Sequence, residues 1–189
     1  LLTPTPEGTM SMKTLKIHGA EQIAIEQADV PEPASGEVRV RMQYGGICGS
    51  DLHYYFHGRN GAFVVNEPFT PGHEMSGVID LDPSGRRAAG TRVTIAPATY
   101  GTSVEGIEDR KYLWPGGSYF GSSSTTPHTQ DGMSEYRVVP DFMIRELPEN
   151  LATRDASLAE PLAVALHAIE IAGGVAGQKV LVSGSGPIG

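Results

Sequence analysis

Gly36-Glu37-Val38-Arg39-Val40-Arg41-Met42-Gln43-Tyr44 alternates without a break: Val38, Val40 and Met42 are apolar, and Arg39, Arg41 and Gln43 between them are polar. Period two over this length marks a half-buried strand, because successive side chains of a strand point to opposite faces. Working outward, the same signal recurs in short runs at residues 15–17, 23–25, 75–81, 91–95 and 136–139, separated by Gly, Pro and Asp. From residue 13 to about 147, many short strands with frequent turn signals predict a β-barrel or sandwich. Residues 98–131 break the pattern. They are rich in Gly and Ser with few periodic apolar positions, and a long loop inside a compact domain is usually functional or mobile.

Near residue 154 the period changes. Pro161 suits a first helical position, and Leu162, Ala165, Leu166, Ile169 and Ala172 then share one face before Gly173-Gly174 ends the helix. The chain closes on QKVLVSGSGPIG, where an apolar strand expected at residues 180–182 runs into Gly184, Gly186 and Gly189. A GxGxxG after a strand lets the backbone approach a dinucleotide pyrophosphate, which makes Gly184, Gly186, Pro187, Ile188 and Gly189 the cofactor-binding candidates.

Composition narrows the function classes. The 189 residues carry 22 acidic against 14 basic side chains, a net charge of −8, and no basic cluster beyond Arg86-Arg87. That excludes the electrostatic footprint of a nucleic-acid binder and favours small-molecule chemistry. No apolar run approaches a bilayer span and no leader pattern opens the chain, so the expectation is a cytoplasmic protein without membrane partners. Residues 1–12, LLTPTPEGTMSM, lack periodicity and read as a tail or expression scar.

The lone cysteine, Cys48, lies in GGICGSDLHYY. It is open to three fates: a small core residue, a nucleophile or a metal ligand. A catalytic zinc takes three protein ligands from Cys, His and Asp/Glu and keeps a fourth position open. Cys48, His73 and Glu74 in PGHEMSG, and Glu160 in AEPLAVALHA supply that donor mixture. On spacing alone a buried inert Cys48 and a hydrogen-bonded structural His73 remain equally good readings.

Taken together, GGICGSDLHYY, PGHEMSGVI, AEPLAVALHA and VLVSGSGPIG resemble, in order and context, the zinc-dependent medium-chain dehydrogenases and their sorbitol dehydrogenase branch. The resemblance runs from residue 13 to residue 189. It implies a GroES-like β-barrel catalytic domain over 13–153, then over 154–189 a linking helix and only the first strand of a Rossmann-type coenzyme domain. It implies Cys48 and His73 as zinc ligands, with Glu74 and Glu160 ligating directly, through water or in exchange. Asp51 is expected to orient the metal-bound imidazole, and Ser50 and His53 to relay the substrate proton to solvent while hydride passes to NAD or NADP. Asp51 as a turn residue and His53 as a surface histidine are the plain alternatives. Tyr54 and Phe120 are candidates to touch substrate or simply to wall the cleft.

The stretch GICGSDLHYYFHGRNGAFVVNEPFTPGHE is most similar to the L-idonate-oxidising members, so a polyol or sugar acid, with L-idonate oxidised at C5 first, is the expected substrate. The same residues would serve a threonine or butanediol dehydrogenase, or a metal-free GroES-like binding module. Many relatives hold a second, structural zinc on four cysteines, for which this chain has Tyr100, Ser103, Gly106 and Trp114. One zinc is therefore expected, with the lobe from residue 98 to about 121 either packed around Trp114 or mobile. The chain reads as the N-terminal part of an enzyme, inactive alone, whose full-length form is expected to be a homo-oligomer.

Overall fold

The structure is a computed structural model that describes residues 10–130 and 132–186. Its strands, in chain order, are β1 (Ser11–Gly19), β2 (Gln22–Asp29), β3 (Glu37–Gly45), β4 (Arg59–Asn60), β5 (Phe63–Val64), β6 (Met75–Leu81), β7 (Arg92–Ile95), β8 (Ala98–Thr99), β9 (Ser118–Tyr119), β10 (Tyr136–Pro140) and β11 (Ile144–Glu146). The α-helices are α1 (Gly49–His57), α2 (Thr153–Ala156) and α3 (Ala159–Ile171).

The alternating stretch becomes β3, near the middle of a five-stranded antiparallel sheet ordered β10-β3-β6-β7-β11. Val38 and Val40 face its core beside Ile79, Val93 and Val139, with Met42 partly buried against them. Arg39 departs from the simple alternation: it is also buried, because its guanidinium reaches Asp80 at 2.6 Å and Glu32 at 2.8 Å. Paired charges of this kind can leave water where a lone one cannot. Three two-stranded ribbons complete the β structure, and among the described residues the ladders do not join into one closed barrel.

The β1–β2 hairpin starts earlier than the expected tail allows. Ser11 and Met12 already pair with Asp29 and Ala28, and Met12 is buried, which ties the segment down. Beneath this hairpin a second core of Ile17, Tyr54 and Phe69 joins β1 to α1. The linking helix forms as α3, with Pro161 in its first turn, where its missing N–H costs nothing. Residues 180–182, expected as a strand, carry no ladder and lie exposed. A strand exists by virtue of a partner, and no described residue pairs with this run. Gly184 and Gly186 are exposed beside it, whereas Pro187, Ile188 and Gly189 lie outside the described residues.

Candidate metal centre

Strand pairing builds the centre. Gly45, the last residue of β3, pairs with Met75, the first of β6, and the Gly46 amide donates to the Glu74 carbonyl at 2.8 Å. Cys48, just past the end of β3, and His73-Glu74, just before β6, are thereby delivered to the same end of the sheet. Their ligand atoms, one sulfur, one imidazole nitrogen and one carboxylate oxygen, all lie within 4.8 Å of one another. Gly46 is required there, because a Cβ would stand 1.8 Å from Glu74 Oε2 and 2.9 Å from Glu74 Cβ.

Asp51 supports the cluster in a different way from the one expected. As the third residue of α1 its carboxylate turns back to accept from the Cys48 amide at 2.9 Å and from the Gly72 amide at 3.2 Å. It fixes the backbone beside two of the clustered residues, Cys48 and His73, rather than bonding the imidazole. Helix capping explains the choice: the first amides of α1 lack intrahelical partners, and a side chain at this position is well placed to satisfy one. Burial pushes the Asp51 carboxyl above the ordinary range against the pull of those two amides and of His73.

The centre is short of positive charge. Burial raises Glu74 as well, and the negative charges of Glu160 and Asp51 add to that, opposed by His73 and by a hydrogen bond with Cys48. His73 Nδ1 is buried without a hydrogen-bond partner. An orphaned ring nitrogen, a thiol and a crowded carboxylate are a mixed donor set that suits zinc, with a thiolate and one carboxylate offsetting its two charges.

Glu160, in the first turn of α3, is not in the cluster. Its carboxylate accepts from the Tyr119 hydroxyl, and the Tyr119 ring stands edge-on to His73, centroids 5.7 Å apart at 69°. Tyr119 was not singled out in the sequence; its contact with Glu160 spans 41 positions, and nothing local announces it.

A cleft of about 230 Å³ opens beside His73, lined among others by Ser50, Tyr54, Asn60, Tyr119 and Phe120. Ser50, in the first turn of α1, therefore faces the cleft, and His53 is exposed one turn further along. Tyr54 is buried, edge-on to Phe69, with its hydroxyl oxygen accepting from the Ser123 amide at 3.2 Å. Phe120 packs in the main core beneath the Arg137 guanidinium, 5.3 Å from the ring centroid, and shows its remaining edge to the cleft. Asn60 is a further polar group at the cleft that sequence reasoning passed over.

The lobe that lacks cysteines is ordered by other means. Trp114 Nε1 donates to the Ile107 carbonyl at 3.0 Å, Lys111 stands 5.9 Å from the centre of the Tyr100 ring, and Thr99 bonds Ser118 across β8 and β9. The pairing of Ala98 with Tyr119 then sets Tyr119 at the mouth of the cleft.

Residues 34–149 match the family model described as "Alcohol dehydrogenase GroES-like domain". The chain belongs to that family. This GroES-like domain is 37% identical over 175 residues to sorbitol dehydrogenase of Gallus gallus, covering 92% of this chain and 48% of the relative. It is 38% identical over 178 residues to sorbitol dehydrogenase of Bos taurus, covering 93% and 49%. Among solved structures it superposes on L-idonate 5-dehydrogenase from Escherichia coli str. K-12 substr. MG1655 with a TM-score of 0.88 and 31% identity, over 95% of this chain and 52% of that one. These likenesses agree with the zinc-dependent medium-chain dehydrogenase resemblance of the four motifs. The chain spans about half the length of the relatives it matches. Among the described residues no helix is long and apolar enough to cross a membrane.

Proposed function

We propose that this GroES-like domain is the catalytic half of a zinc- and NAD(P)-dependent dehydrogenase acting on a polyol or sugar acid, with L-idonate oxidised at C5 as the leading substrate. The observation that carries it is the convergence of Cys48, His73 and Glu74 within 4.8 Å around a buried, unpartnered His73 Nδ1. Cys48, His73 and Glu74 would hold the ion, and His73 also lines the cleft. When bound, zinc supplies Lewis-acid charge that makes a substrate hydroxyl easier to deprotonate.

The chain's own residues do the rest. Asp51 holds the amides of Cys48 and Gly72 and so limits the movement of the donor atoms. Ser50 faces the cleft, and its hydroxyl accepts the substrate proton as it releases its own toward His53, three residues along the same helix and exposed, which passes a proton to solvent. Tyr54 and Phe120 wall the cleft. Asn60, Tyr119 and Ser122 offer polar partners, which a substrate with several hydroxyls needs once buried. Gly184, Gly186, Pro187, Ile188 and Gly189 would form the approach to the pyrophosphate of a nicotinamide cofactor, which when bound would supply the hydride acceptor. The substrate choice draws support from the idonate- and sorbitol-named relatives.

Elemental analysis of the purified chain tests the metal: one zinc per chain is expected, falling to none in Cys48→Ala. Wild type without zinc would favour a metal-free binding module. Turnover of the whole protein on L-idonate, sorbitol, threonine and butanediol with NAD and with NADP tests the substrate. Activity on threonine but not on polyols or idonate would overturn that choice.

A further inference from the structure

Glu160 stands near enough to the donor cluster for its charge to act on Glu74, yet its carboxylate is not one of the clustered donors. Among the described residues the Tyr119 hydroxyl is its only hydrogen-bond partner. That bond is charge-assisted and therefore stronger than one between neutral groups. Tyr119 is itself fixed from two sides. Its backbone pairs with Ala98 across β8 and β9, and its ring rests edge-on against His73.

A thiolate and one carboxylate already offset the two charges of a zinc ion. A second carboxylate would complete four-coordination and occupy the position a substrate hydroxyl needs. Something must hold Glu160 back. We propose that Tyr119 is a positioning residue that keeps the Glu160 carboxylate out of the Cys48, His73 and Glu74 donor set and so keeps the fourth metal position open. The inference rests on the metal reading above. It also gives the cysteine-free lobe a task, since the lobe carries the strand that places Tyr119.

Cobalt(II) loaded into the 189-residue chain reads the coordination directly, through its visible ligand-field absorption and through the change when imidazole is added as a probe of the open position. Tyr119→Phe is expected to shift the absorption envelope and to weaken imidazole binding. Tyr119→Phe combined with Glu160→Gln returns both toward wild type, because the intruding carboxylate is gone. Glu160→Gln alone leaves the envelope where it was. If loaded Tyr119→Phe matches wild type in both readouts, or if Glu160→Gln alone shifts the envelope as loss of a direct ligand would, the positioning role is overturned and the metal reading stands. If wild type takes up no cobalt, the metal reading falls and this inference with it.

Discussion

Gly46 and Asp51 do at the residue scale what the donor atoms cannot do for themselves. Gly46 leaves room for the Glu74 carboxylate, which a Cβ would meet at 1.8 Å. Gly46→Ala is therefore expected to fold but to lower zinc affinity about ten-fold or more, the scale on which disturbed supporting residues act at metal sites; competition titration with a chromophoric chelator measures it. Asp51→Asn keeps the shape of the side chain but puts an amide where one of two backbone N–H groups now finds an acceptor. A loss of about 10- to 100-fold in zinc affinity is expected from the same titration. Unchanged affinity in Asp51→Asn would make Asp51 a plain turn residue. Cys48, His73 and Glu74 were legible as candidates because their motifs resemble a known pattern, and strand register explains why they meet. Tyr119 was not legible, because its partner lies on a helix 41 positions away and no periodicity links the two.

At the scale of elements, β3 was readable from its alternation, with Val38 and Val40 buried and Arg41 exposed, whereas β6 is buried on both faces from Met75 to Ile79 and its pattern says less. Helix α3 was readable from its spacing, its proline and its terminal glycines. The run at residues 180–182 was not a strand, because apolar character states a preference while a ladder needs a partner. The lobe was the least legible element. Its order comes from single contacts, such as Trp114 on the Ile107 carbonyl, which leave no periodic trace. Gly101 is its tightest point, since a Cβ there would lie 1.8 Å from the Pro115 carbonyl oxygen and 2.8 Å from the Gly117 amide. Gly101→Ala is expected to loosen the lobe, at a cost of about 1–3 kcal/mol for the forced backbone shift. Trp114, the only tryptophan, makes this visible: its emission should move to the red while the amides of β3 and β6 keep their protection from hydrogen exchange. Loss of β3 and β6 protection in the same variant would mean that the lobe and the sheet form one cooperative unit.

For the molecule as a whole, the candidate site lies where two cores meet. Tyr54 belongs to the cluster under β1 and α1, whereas Met75 and Phe120 belong to the cluster of the five-stranded sheet. The far end of that sheet is closed by charge rather than by packing. Arg87 bonds Asp141 and reaches Glu146 at 3.1 Å and Asp82 at 3.5 Å, and Arg86 adds a second contact to Asp141 at 2.6 Å. These contacts tie the turn between β6 and β7 to the junction of β10 and β11. The hydrogen bond from Arg87, with help from Arg86, holds the Asp141 carboxyl below the ordinary aspartate value of 3.8, and bonds from Ser84 and Arg87 do the same for Asp82. A carboxyl whose folded-state pKa lies below its unfolded value stabilises the fold fully at neutral pH. That contribution falls away as the pH drops toward 3.8 and further through the lower folded-state value. Urea midpoints measured from pH 7 down to pH 3 should therefore decline less steeply in Asp141→Asn than in wild type, from a lower starting point at pH 7. Zinc content at pH 7 should be the same in both, because this network sits at the opposite end of the sheet from Cys48 and His73. A variant with the wild-type slope would show that water screens these ion pairs too well for them to steady the sheet.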